Sequence, residues 1–166
     1  MPDYAYVRQT DGFTCGPTVA MVAAAALDPL YGATITDAAT EQHRIHSAAN
    51  RLWPRKLGTT PWGVAGAISA HTAALGVRYG WRLFRGDLAP AIAAVECDWP
   101  VAMLIGAAIP RHWVLLVGHT DGELQCFNPA RGVVTTIAVA DVAARRLEPL
   151  GFPRAFALVL PRHATS

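Results

Sequence analysis

A helix-rich first half followed by a strand-rich second half, in a chain of 166 residues, predicts one α+β domain over residues 1–166. Up to Gly76 the apolar residues fall in Ala-rich runs bounded by helix-capping residues. From Val77 onward, short Val-, Leu- and Ile-rich runs alternate with turn residues such as Thr120-Asp121-Gly122 and Pro129-Ala130-Arg131-Gly132. The helical half is expected to pack against an antiparallel β-sheet half, leaving a cleft between them.

The first helix opens at Cys15-Gly16-Pro17 and runs through Val19-Ala20-Met21-Val22-Ala23-Ala24-Ala25-Ala26-Leu27. Gly16 permits close backbone approach, and Pro17 suits a first helical turn, where its missing N–H has no intrahelical partner. Asp28-Pro29 stops this helix, and Asp28 to Gly32 reads as a turn cluster. Thr36 or Asp37 can cap a second helix running to about Leu52, closed by Trp53-Pro54. A third helix starts at Thr60-Pro61, with Val64, Ile68 and Leu75 as its buried stripe and Gly76 as its stop. Val77 to Phe84 reads as a half-buried strand and Leu88 to Cys97 as a short helix broken by Asp98-Trp99-Pro100. The remaining strands are expected at Val101–Ile105, His112–Val117, Glu123–Phe127, Val133–Val139 and Ala155–Leu160.

Composition excludes several functional classes. Apolar residues make up 52% and charged residues 16%, which supports a well-filled core and argues against disorder. The net charge is +2, and the basic residues are scattered without interleaved aromatics, so nucleic acid is not an expected partner. No run approaches 18 apolar residues and Met1 to Tyr6 lacks a signal-peptide pattern, so no membrane partner is expected. Three cysteines, Cys15, Cys97 and Cys126, leave at least one thiol unpaired. A reducing, cytoplasmic location is the default; secretion by a signal-independent route, or excision from a longer chain, fits the same sequence. His43 and His46 share a helix face, but no third metal ligand accompanies them, and they read as exposed helix residues. Neither metal nor cofactor is implied. Cys97 and Cys126 are expected as small buried core residues, His119 and His71 as surface or core residues, and His163 in a frayed tail.

Cys15 sits where helix N–H groups point outward and the peptide dipoles sum to about half a positive charge, which favours a thiolate. Gln9, six residues earlier, has an amide that can donate to an oxyanion. His112 leads one strand and Asn128 ends the next, across the 120–122 turn, so an antiparallel hairpin makes them neighbours. An imidazole that takes the thiol proton, oriented by a side-chain oxygen on its other nitrogen, completes nucleophilic machinery.

These residues, Gln9 through Cys15-Gly16-Pro17, His112-Trp113-Val114-Leu115-Leu116-Val117-Gly118 and Asn128-Pro129, resemble the papain-like cysteine peptidase clan, and within it the double-glycine (bacteriocin-processing) peptidase-like families. The resemblance spans nearly the whole chain and implies the papain-like fold. It assigns Cys15 as nucleophile, His112 as acid–base, Asn128 as orienting residue and Gln9 to the oxyanion hole. Asn128 stands where those families usually have aspartate, and Thr14 where an aspartate commonly precedes the cysteine. No transporter segment is recognised in the sequence, so the implied substrate is a peptide or amide-containing molecule without being specifically a leader peptide. The implied function is hydrolysis of an amide or peptide bond through a Cys15 acyl-enzyme. Two alternatives stand beside it: an acyltransferase or transamidase using the same site, and a catalytically silent binding module. A protein partner is left open.

Overall fold

The computed structural model describes residues 7–50 and 58–162. The Trp53-Pro54 helix stop, His163 and the first six residues lie outside the described residues. In chain order the elements are α1 (Cys15–Leu27), α2 (Pro29–Thr34), α3 (Ala38–Ala49), α4 (Pro61–Thr72), β1 (Arg78–Leu83), α5 (Ala89–Glu96), β2 (Val101–Gly106), β3 (Pro110–Thr120), β4 (Glu123–Asn128), β5 (Val133–Ala138), α6 (Val139–Ala143) and β6 (Arg154–Arg162).

Local chemistry sets the helix starts. Asp37 accepts from the N–H groups of Ala39 and Thr40 to open α3, and Thr60 accepts from the Gly63 N–H to open α4, with Pro61 in its first turn. Residues 15 to 24 of α1 are all buried, so this Ala-rich helix is surrounded by protein on every side. The β3–β4 hairpin turns at Asp121 (φ 51°) and Gly122 (φ 79°), the two left-handed positions that an Asp-Gly turn supplies.

The six strands form one antiparallel sheet in the order β1-β6-β2-β3-β4-β5, which places the last strand between the first two. Helices cover both of its faces. Tyr79, Ala102, Trp113, Leu115, Val117, Phe127 and Val159 pack with residues of α1, α3 and α4. Val101, Met103, Ile105, Val114, Leu116, Leu124, Cys126 and Leu158 pack with α5, α6 and Leu150. The sheet is thus the middle layer, where the sequence predicts a simple pairing of a helical with a sheet half.

Several sequence expectations are corrected. The Asp28–Gly32 cluster is not a mere turn but opens α2, with Asp28 accepting from the Tyr31 N–H. The strand expected to Val139 ends at Ala138, and α6 follows. Leu75 is 55% exposed because α4 passes into a 3-10 turn after Thr72, which breaks the phase of its buried stripe. Cys97 is exposed at the end of α5, off the Leu88-Ala91-Val95 stripe that packs on the sheet. Cys126 is fully buried as expected, and burial pushes its thiol up to about 12. His46 is buried rather than exposed, with Asn50 Nδ2 3.3 Å from its Nδ1. Among the described residues, no helix is long and apolar enough to cross a membrane.

Candidate active site

Cys15 is the first residue of α1, 4% exposed, with Thr14 before it as N-cap. The buried Thr14 hydroxyl does not cap the helix. It accepts from the N–H groups of Thr10 (2.9 Å) and Asp11 (3.2 Å), folding the preceding loop back onto the helix start. Gly16 is required by close approach: a Cβ there would lie 2.6 Å from Thr59 Cβ and 3.2 Å from Trp113 Cδ1. Trp113 is itself pinned by its indole N–H, which donates to the Thr59 carbonyl at 3.0 Å. The helix start, the 58–60 segment and β3 therefore meet at the thiol.

Burial is the largest influence on Cys15 and raises its thiol pKa. Backbone N–H groups of Trp113, Gly16 and Cys15 pull the other way without reversing it, and the Asp11 carboxylate adds to the rise. Burial thus opposes the thiolate that the helix terminus alone would favour.

His112 and Asn128 meet directly, with His112 Nε2 2.9 Å from Asn128 Oδ1. A β-bulge makes this meeting possible. Thr120 pairs with Glu123 and His119 with Leu124, but after the irregularity between Leu116 and Gly118 the register steps by one, to Leu116 with Cys126 and Leu115 with Phe127. Without that step, the period of two would put His112 and Asn128 on opposite faces of the sheet.

The Asn128 amide is oriented by two further bonds. Its Nδ2 donates to the Leu150 carbonyl at 3.2 Å, and its Oδ1 accepts from the Ala130 N–H at 3.1 Å. With Oδ1 so assigned, His112 Nε2 must carry the hydrogen, and Nδ1 keeps the lone pair. Phe152 lies against the imidazole, ring centroids 6.1 Å apart. Burial lowers the His112 pKa, and the Asn128 bond opposes this in part.

The thiol accepts from the backbone N–H of Trp113, one residue along the strand from His112. A direct Sγ–imidazole hydrogen bond is not among the contacts of the described residues. Gln9 is tied to the same region by its backbone N–H, which donates to the Pro129 carbonyl at 2.9 Å. Its side-chain Nε2 donates to the Asp11 carbonyl at 2.8 Å, which spends one of its two N–H hydrogens within its own loop.

Gln42 of α3 was not legible as a site residue. It is fully buried, accepts from the Thr10 N–H at 3.0 Å and donates to the Arg8 carbonyl at 2.8 Å, gripping the backbone on both sides of Gln9. A polar residue on the inward side of a predicted helix was the available signal.

The thiol opens on a cleft of about 380 Å³ lined by Phe13, Thr59, Trp62, Leu104, Ile109 and Arg111, among others. A larger groove of about 520 Å³ between α3 and α4 contains none of the four candidate residues.

No family model and no curated protein matches the chain. Solved structures do. The chain is similar to the peptidase domain of Streptococcus ComA, a bi-functional ABC transporter involved in quorum sensing, at 20% identity and a TM-score of 0.56, covering 96% of this chain and 99% of that one. It is also similar to a double glycine motif protease from an AMS/PCAT transporter, solved in complex with the leader peptide, at 14% identity and a TM-score of 0.54, covering 95% of this chain and 90% of that one. The chain has the fold of the papain-like peptidase domains of double-glycine proteases.

Proposed function

We propose that the protein is a papain-like cysteine peptidase that cleaves an amide bond of a peptide substrate through an acyl-enzyme on Cys15. The observation that carries this reading is the locked Asn128 amide, which keeps His112 Nε2 engaged and leaves Nδ1 to act as the base, one residue along the strand from the Trp113 N–H that reaches the thiol.

His112 Nδ1 takes the Sγ proton as sulfur attacks the carbonyl carbon. The Cys15 N–H and the second Gln9 N–H donate to the oxyanion. Collapse breaks the C–N bond, and the imidazolium returns its proton to the departing amine. His112 then deprotonates a water, which attacks the thioester and releases the acid and the free thiol. Because burial disfavours both charged forms, the proton moves with the attack rather than before it.

The test is incubation of the protein with a proteome-derived peptide mixture, read by mass spectrometry of new termini. The parent is expected to generate a consistent set of cuts and Cys15→Ala none, with the two proteins folding alike. Identical cut patterns for both would reject the reading, as would a parent that cuts nothing.

A further inference from the structure

The β2–β3 pairing contains a second irregularity, beside the histidine. Ile105 pairs with His112 and Gly106 with Pro110, so Arg111 is the extra residue of a bulge. Bulges re-aim the side chain that they leave unpaired, and they recur next to active sites. Here the bulge delivers Arg111 to the wall of the cleft that holds Cys15. The opposing strand is shaped to it: a Cβ at Gly106 would sit 2.0 Å from the Ile109 carbonyl oxygen, so the tight 106–110 turn admits only glycine there.

Arg111 differs from Arg44, Arg82 and Arg146, whose guanidinium groups pair with Glu41, Asp87 and Asp141. Among the described residues, no carboxylate or carbonyl holds Arg111, and the other residues lining the cleft carry no formal charge. An exposed cation on the rim of a cleft walled largely by apolar residues, Phe13, Trp62, Leu104 and Ile109 among them, can receive a carboxylate with apolar neighbours.

We propose that Arg111 is a specificity-determining residue that binds a substrate carboxylate close to the scissile bond. The cleft volume gives a linear scale of about 7 Å, or about two residues of extended peptide, so the carboxylate belongs within about two residues of the cut. This deepens the peptidase reading and rests on it.

The test compares alkylation of Cys15 by iodoacetate and by iodoacetamide, which differ in charge at similar size, with Cys97 as the internal reference. Coulomb attraction over about 7 Å from an exposed guanidinium, at the dielectric of water, gives the anionic reagent about a threefold advantage, which the Asp11 carboxylate reduces. Arg111→Gln is expected to remove that advantage and Arg111→Glu to invert it, with the iodoacetamide rate held within about twofold of the parent. In peptides that the parent cleaves, exchange of Glu for Gln within two residues of the cut should lower kcat/KM in the parent and not in Arg111→Gln. An unchanged reagent ratio in both variants, or a Glu preference that survives in Arg111→Gln, overturns the role of Arg111 while leaving the peptidase intact. A parent that cleaves none of the peptides overturns the peptidase reading, and Arg111 with it.

Discussion

Asn128 Nδ2 donates to the carbonyl of Leu150 at 3.2 Å, and that bond, with the Ala130 N–H on Oδ1, sets which end of the amide faces His112. It also explains why an amide works at this position. An aspartate at position 128 would set a carboxylate oxygen against the Leu150 carbonyl, acceptor against acceptor, in a buried setting.

Asn128→Asp is therefore expected to lose about 1–3 kcal/mol, the usual consequence of a buried acceptor left unsatisfied. That corresponds to a fall of about 2–4 °C in Tm per kcal/mol for a chain of this size. The carboxylate also favours the imidazolium, so the His112 pKa rises and the acid limb of kcat/KM moves to higher pH. Asn128→Ala keeps no orienting oxygen and should lose about 10- to 10⁴-fold in kcat. Thermal melts and pH–rate profiles of the three proteins check both effects.

The pH–rate profile of the parent follows from two opposite shifts. His112 is held below the usual histidine value of 6.5 and Cys15 above the usual thiol value of 9.0. Activity requires neutral His112, so the acid limb should fall below pH 6.5, and the thiol form of Cys15 should keep the alkaline limb above pH 9. A preformed thiolate–imidazolium pair would instead put the alkaline limb at the imidazolium pKa, well below 9.

Gly16→Ala tests the close approach of α1 to its neighbours. The new Cβ would meet Thr59 Cβ at 2.6 Å, a branched carbon that cannot swing aside. Overpacking of this kind costs about 1–3 kcal/mol. Denaturant melts should show it, together with a slower alkylation of Cys15 as the helix start is pushed from β3.

Gln42→Leu keeps the volume and removes both bonds to the loop that carries Gln9. A loosened oxyanion donor should lower kcat by about tenfold or more. KM and the rate of Cys15 alkylation should remain close to those of the parent, which a simple loss of folding would not allow. Gln42→Glu, which keeps the acceptor for the Thr10 N–H, should retain more activity than Gln42→Leu.

Much of this arrangement is legible in the sequence because it is local. The Asp37 and Thr60 caps, the Asp121-Gly122 turn and the Cys15-Gly16-Pro17 helix start are each encoded within a few residues. The hairpin that joins His112 to Asn128 is legible for the same reason. Its bulge is not, since the register step at Val117 depends on packing against both helical layers. The role of Gln42 is likewise set by partners far along the chain, Arg8 and Thr10. The upward shift of the thiol pKa could not be read from the helix start, because it comes from burial in the folded chain and outweighs the backbone N–H groups at that start.

The most direct measurement is a rapid acid quench of the protein with an activated peptidyl ester, followed by intact-mass and peptide mapping. The account predicts an acyl adduct on Cys15 that forms and decays in the parent, and that forms about 10²–10⁴-fold more slowly in His112→Ala. An adduct on Cys97, or one on Cys15 that forms as fast without His112, would contradict it.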